Sequence, residues 1–254
     1  MPSSERTFRT SAIILKRRDF GEADRLLTIL SPQYGKRETI AKGARKPAST
    51  KTGHVELFTC VDMLISRGRE IDIATQVEMT NPFLHLRENL RAGAYASYIA
   101  ELVDKFTFDG DQDLHSLYDL TMTTFQRLCD DNDPRLAVRY FEIQLLDVVG
   151  FRPELTECVI THETIIAEDQ FFSYADGGVV NPRAHHLTTG TIPVSMDTLR
   201  LMRHMQRSDY TQVRGLTVDL WIHQEAEKLL LGYITFLLER RLESVEFIRR
   251  VRDL

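Results

Sequence analysis

The stretch Leu26–Lys42, LLTILSPQYGKRETIAK, decides the fold. Two runs of strand length, Leu26–Leu30 and Arg37–Lys42, flank Ser31-Pro32-Gln33-Tyr34-Gly35, a cluster of turn-forming residues, so the segment reads as a hairpin. Upstream, Ser11–Lys16 supplies another strand, set off by Asp19-Phe20-Gly21, and the three form a meander. Downstream, Leu57–Ile65 reads as a buried strand and Ser66-Arg67-Gly68-Arg69 as a turn. Beyond the turn, Ile71, Ile73, Thr75 and Val77 alternate with period two. A three-stranded meander, a longer connection and a closing hairpin are the layout of a five-stranded OB-type barrel, a fold that takes up single strands or oligosaccharides. An SH3-like barrel fits this order less well.

The same region carries a charge anomaly. Between Gly35 and Lys51 stand Lys36, Arg37, Lys42, Arg45, Lys46 and Lys51, faced by one acid, Glu38, in a chain of net charge −5. Residues 1–81 hold 14 Lys/Arg against 10 Asp/Glu, whereas the remainder holds 18 against 27. An acidic body repels a polyanion everywhere except where the basic module faces it, so the asymmetry points to a directed contact with a phosphate-bearing partner. A solvated surface loop is the plainer account of such a run.

After Asn81-Pro82 the apolar spacing becomes helical. Tyr95, Tyr98, Ile99, Leu102, Val103 and Phe106 share one face, and Leu114, Leu117, Tyr118, Thr121, Phe125 and Leu128 define the next helix. Asp133-Pro134 reads as an N-cap with proline at the first helical position, opening a helix that ends at Gly150. Three antiparallel helices are expected, their aromatics serving as core. Between Arg152 and Thr191 the helical pattern stops, and Phe171-Phe172-Ser173-Tyr174 and Val179-Val180 flank the turn Asp176-Gly177-Gly178 as a small β insert. Helices resume near Ser195, including a long one from Leu216 to about Arg241. The fold class expected is therefore α+β and multidomain: an OB barrel over residues 1–80 and a helical domain over 81–254, the latter carrying the β insert at 152–191.

No phosphate-cradling Gly-rich loop ending in Gly-Lys-Ser/Thr, no Gly-x-Ser-x-Gly elbow and no His-Glu-x-x-His helix occurs, so no enzyme activity is expected. His223-Gln224-Glu225 matches half of a zinc-deaminase pattern but lacks its Pro-Cys-x-x-Cys, and reads as a histidine on a helix surface. No apolar run reaches the ~20 residues that span a bilayer, so no membrane partner is expected. Met1–Thr10 is polar, and Cys60, Cys129 and Cys158 are scattered, which fits a reducing cytoplasm.

Several linked motifs resemble the bacterial RecO family of DNA repair proteins. They are Thr10-Ser11-Ala12-Ile13-Ile14-Leu15-Lys16 leading into Gly21-Glu22-Ala23-Asp24-Arg25, then Ala41-Lys42-Gly43-Ala44-Arg45-Lys46-Pro47, Ala94-Tyr95-Ala96-Ser97-Tyr98 and Glu101-Leu102-Val103-Asp104. Phe141-Glu142-Ile143-Gln144-Leu145-Leu146 and Gly150-Phe151-Arg152-Pro153-Glu154-Leu155 extend the likeness, which runs in order from Ser11 to about Pro182. The resemblance implies a recombination mediator without catalytic turnover, which binds single- and double-stranded DNA and anneals complementary strands. It also implies that, with RecR, such a protein helps load RecA onto DNA coated by single-strand-binding protein.

Carried onto this chain, the family's basic DNA face falls on Arg17, Arg18, Arg25, Lys36, Arg37, Lys42, Arg45 and Lys46, with Asp19, Glu22 and Asp24 near enough in sequence to pair Arg25. By the same analogy Arg127, Arg135 and Arg139 are candidates to receive the acidic, aromatic-ended tail of single-strand-binding protein, or else pair with Asp130, Asp131 or Asp133. Many relatives carry Cys-x-x-Cys on both sides of the insert's hairpin, a zinc ribbon; here those positions read Cys158, Thr161, Asn181 and Ala184. His162, His185 and His186 offer an alternative ligand set, but degeneration is favoured, so no metal and no cofactor are expected. An RNA-binding OB protein and a pure protein adaptor are the competing functional classes.

Overall fold

A computed structural model describes residues 6–131 and 133–252; the polar start of the chain lies outside them through residue 5. The strands are β1 Thr7–Phe20, β2 Asp24–Ser31, β3 Gly35–Ala41, β4 Cys60–Ser66 and β5 Asp72–Asn81, followed by β6 Gln170–Ser173, β7 Gly178–Val180 and β8 Thr191–Val194. The helices are α1 His85–Glu88, α2 Leu90–Phe106, α3 His115–Asp130, α4 Pro134–Val148, α5 Met196–Arg207, α6 Tyr210–Val213, α7 Leu220–Leu238 and α8 Glu243–Arg252.

The first five strands close into a barrel of order β1-β2-β3-β5-β4, the OB arrangement. Closure is possible because β1 serves two neighbours. Its first half pairs with β4 from Thr7 to Ile13 and its second half with β2 from Ile13 to Phe20, and a register shift between Ile14 and Lys16 bends it between the two. A short parallel contact, Thr39↔Asp72 and Ile40↔Ile73, shuts the remaining side. Alternation sends Ile14, Leu27, Ile29, Val61, Met63 and Ile65 inward, each almost fully buried. Burial of that size stabilises by about 1.5–3 kcal/mol per side chain. The Ser31–Gly35 turn forms as expected: Ser31 Oγ accepts from the Tyr34 N–H. Gly35 has φ +65°, and a Cβ there would stand 2.0 Å from the Asp111 carbonyl oxygen. Strand β4 begins at Cys60 rather than Leu57 because Phe58 sits at φ +62°, outside strand geometry, while its N–H bonds to the Ile14 carbonyl.

By contacts the chain forms two compact units. The first combines the barrel with α1, α2, α3 and the C-terminal α8. Asn89 caps α2 by accepting from Ala92 N–H, and Phe125 of α3 meets Phe58 and Phe83 edge-on at 5.6 and 5.8 Å between centroids. Buried Glu101 of α2 accepts from the Glu243 and Ser244 N–H groups, placing a carboxylate at the positive end of α8.

The second unit covers residues 131–242. Here α4 opens on the expected Asp133 cap with Pro134 in its first turn, and ends in Gly150 at φ +82°. It packs with α5, α6 and α7. Arg139 and Glu142, one helical turn apart on α4, pair at 3.0 Å inside the unit. The insert forms a sheet of order β7-β6-β8. Asp176-Gly177-Gly178 forms the expected hairpin turn, but a further strand, β8, falls on Thr191–Val194 outside the expected insert sheet, where Pro193 interrupts the strand pattern. The expectation for His223 is corrected as well. It lies on the inner face of α7 with 4% exposure, and burial, joined by the Arg135 charge, lowers its pKa in spite of Asp133.

Candidate nucleic-acid interface

Pleating sorts the cations of the barrel. Along the second half of β1, Lys16, Arg18 and Phe20 alternate onto one face, opposite Thr28, Leu26 and Asp24 of β2. Arg17 and Asp19 take the other face, opposite Leu27 and Arg25. The basic loop after β3 folds back onto the β1–β2 turn: the Arg45 N–H donates to the Ala23 carbonyl at 2.9 Å and the Gly43 N–H to Asp24 Oδ1 at 2.7 Å. This docking needs Gly43, whose φ is +68°. Lys42, Arg45 and Lys46 are thereby brought to the hairpin that carries Arg18.

The eight candidate cations divide into two groups. Arg18, Lys42 and Lys46 are exposed and make no ion pair among the described residues. Arg45 is exposed as well but reaches Asp19 at 3.3 Å. The other four are committed to acids distant in the chain. Arg17 and Arg25 both converge on Glu56, so Arg25 is paired, though not by the acids adjacent in sequence. Arg37 pairs with Asp72 at 3.1 Å, its guanidinium 5.6 Å from the Phe8 ring centre.

Lys36 donates to the Asp104 and Thr107 carbonyls at 2.7 and 2.6 Å, at the C-terminal end of α2, and its side chain is only 14% exposed. Burial pushes the Asp104 carboxyl up, but the Lys16 hydrogen bond and the charges of Lys16 and Lys36 outweigh it and hold the group below the usual carboxylate range. Lys51 wedges its ammonium against the Ala74 carbonyl at 2.9 Å. Desolvation lowers its pKa against the pull of Asp24. Sequence reading identified the cations but not Glu56, Asp72 and Asp104, whose roles depend on contacts 31 to 88 residues away.

The three arginines of the helices are not equivalent. Arg127 lies on α3 in the first unit, and Arg135 and Arg139 on α4 in the second. Arg135 forks onto both oxygens of Asp133, at 2.6 to 3.0 Å, and stays about one-third exposed. Arg139 is buried with Glu142. Beside Arg135 the second unit has a pocket of about 370 Å³ lined by Leu136, Tyr210, Arg214, Leu216, Val218 and His223. Of its two acids, Asp131 is satisfied by Arg214 at 2.7 Å and by the Tyr210 hydroxyl, and Asp133 by Arg135.

In the insert, Cys158, Thr161, Asn181 and Ala184, the positions weighed above for zinc, are joined by hydrogen bonds. The Asn181 N–H donates to Cys158 Sγ at 3.4 Å, its Nδ2 to Thr161 Oγ1 at 3.2 Å, and its Oδ1 accepts from the Ala184 N–H at 2.8 Å. Burial raises the Cys158 thiol, but hydrogen bonds from Thr161 and the neighbouring backbone outweigh it and lower its pKa. His185 is stacked on Phe171 at 4.4 Å, and no group of three His, Cys, Asp or Glu side chains fit to hold a metal occurs among the described residues. Four tetrahedral donors are therefore not assembled, and the residues present do not fit a structural zinc.

The profile of the family described as "Recombination protein O N terminal" matches residues 5–83, and that of "Recombination protein O C terminal" matches residues 87–246. A protein named DNA repair protein RecO from Dehalococcoides mccartyi strain 195 is 34% identical over 234 residues, covering 92% of this chain and 91% of its own. Proteins of the same name from Roseiflexus sp. strain RS-1 and Desulforamulus reducens are 34% and 32% identical, covering 98% and 96% of this chain and 88% and 94% of their own.

Proposed function

The chain belongs to the RecO family of DNA repair proteins, and from that premise we propose that it acts as a recombination mediator whose barrel binds single- and double-stranded DNA. The observation that carries this reading is the gathering of Arg18, Lys42 and Lys46, exposed and unpaired among the described residues, with Arg45 at one hairpin of an OB barrel in an otherwise acidic chain. Phosphates would be held there by charge, without base readout. Neutralising two polyanions on such a surface brings complementary strands together, which is annealing without chemistry, and no catalytic turnover is proposed.

In this reading residues 1–80 carry DNA, and residues 81–254, with the metal-free insert at 152–191, serve partners in the cytoplasm. The proposed partners are RecR, the C-terminal tail of single-strand-binding protein and, through them, RecA. For the tail, Arg135 has the exposure a carboxylate needs and a neighbouring pocket for an aromatic ring, Arg127 is a second candidate, and Arg139 stays with Glu142. Among the described residues no helix is long and apolar enough to cross a membrane. The test is binding of single-stranded and duplex oligonucleotides by the purified chain at low salt. Both should bind, and absence of binding to either would reject the reading.

A further inference from the structure

The barrel's aromatic side chains are used unequally. Phe8 is buried and packs on Tyr34 at 4.1 Å, and Phe58 is buried against Phe125. Phe20, the last residue of β1, is 39% exposed and makes no ring contact among the described residues. It stands on the same strand face as Arg18, opposite Asp24, whose carboxylate anchors the basic loop through the Gly43 N–H. The surface beside it is open: Gly21 follows at φ +55°, and a Cβ added there would meet nothing within 4 Å. Arg45 is tied to the same turn through the Gly21 and Glu22 carbonyls, so Lys42 and Lys46 are carried by a loop fastened to the hairpin tip that presents Phe20.

We infer that Phe20 is a stacking platform for an unpaired nucleobase, held in place by phosphate contacts to Arg18, Lys42 and Lys46. The inference rests on the DNA-binding reading and deepens it by naming the strand state this surface prefers. Phosphate contacts attract duplex and single strand alike, because both carry the same charged backbone. A phenyl ring gains nothing from a duplex, whose bases are already stacked on one another, but it can bury its face against a base that is not. Charge therefore sets affinity at this hairpin, and Phe20 sets the preference for single strands.

The test compares wild type with Phe20→Ala and Phe20→Leu by fluorescence anisotropy at one fixed low salt. The three ligands are an oligodeoxythymidylate, the same backbone carrying abasic sites, and a duplex. Phe20→Ala should bind the oligodeoxythymidylate about tenfold more weakly, the size of one lost base–aromatic stack, with the abasic strand and duplex changed by less than about twofold. Phe20→Leu keeps the apolar bulk that folding uses but has no π face, and should lose the same preference. Equal affinity of both variants and wild type for the oligodeoxythymidylate would overturn the inference while leaving DNA binding intact, as would an equal loss on all three ligands. Wild-type protein that binds none of the three would overturn the DNA-binding reading and this inference with it.

Discussion

Lys36 belongs to the basic run and yet is expected to behave as a structural residue when replaced. Lys36→Met would leave the Asp104 and Thr107 carbonyls at the end of α2 without their donor and would deprive Asp104 of one of its two cations. Two charge-assisted bonds at about 1.5–3 kcal/mol each, less about 2 kcal/mol regained from freed rotamers, leave a net loss of about 1–4 kcal/mol. At about 2–4 °C per kcal/mol, the melting temperature should fall by several degrees.

The effect should depend on pH. The folded pKa of Asp104 is depressed, so its contribution is complete above the ordinary carboxylate pKa and is lost as pH falls through the lower folded value. The stability difference between wild type and Lys36→Met should accordingly shrink in acid. Urea denaturation at neutral and acidic pH measures the difference, and DNA binding by the folded variant should stay within about twofold of wild type, since this ammonium is not on offer to phosphate. A variant as stable as wild type that loses DNA affinity would refute the assignment.

Asn181→Ala removes the side-chain bonds to Thr161 and Ala184 and should destabilise the insert by about 1–3 kcal/mol, seen as faster amide exchange in β6 and β7. Protein purified without chelator should contain no stoichiometric zinc, and a tightly held zinc whose removal unfolds the insert would contradict this. Complementary oligonucleotides should anneal in the presence of the pure protein without ATP; a requirement for nucleotide would count against a charge-neutralisation mechanism. A peptide with the acidic, aromatic-ended tail should bind Arg135→Glu at least about tenfold more weakly than wild type, and unchanged calorimetric affinity would remove Arg135 from that contact.

What the sequence made legible was local. Strand-length runs between turn clusters, with period-two alternation at Ile71–Val77, located the barrel strands, while Asp133-Pro134 and Gly150 marked the ends of α4 and Asp176-Gly177-Gly178 the turn of the insert. The charge excess around Lys36–Lys51 located the basic loop. Longer-range contacts were not legible. Whether a cation is free or paired depends on Glu56, Asp72 and Asp104, which only barrel closure and the docking of α2 bring near. The grouping of α8 with the first unit depends on Glu101 receiving an N-terminus 142 residues away. His223 reads as a surface histidine by residue type, but it stands three residues before Ala226 and seven before Leu230, on the buried row of α7.

Phosphate binding by a few uncommitted cations at one hairpin of the barrel should show in single-strand affinity across a salt series, for wild type and for the triple variant Arg18→Ala, Lys42→Ala, Lys46→Ala. Each phosphate neutralised contributes a slope of about −0.7 in log affinity against log salt, so removing three cations should flatten the wild-type slope by about 2. A folded triple variant with the wild-type slope and affinity would contradict the account.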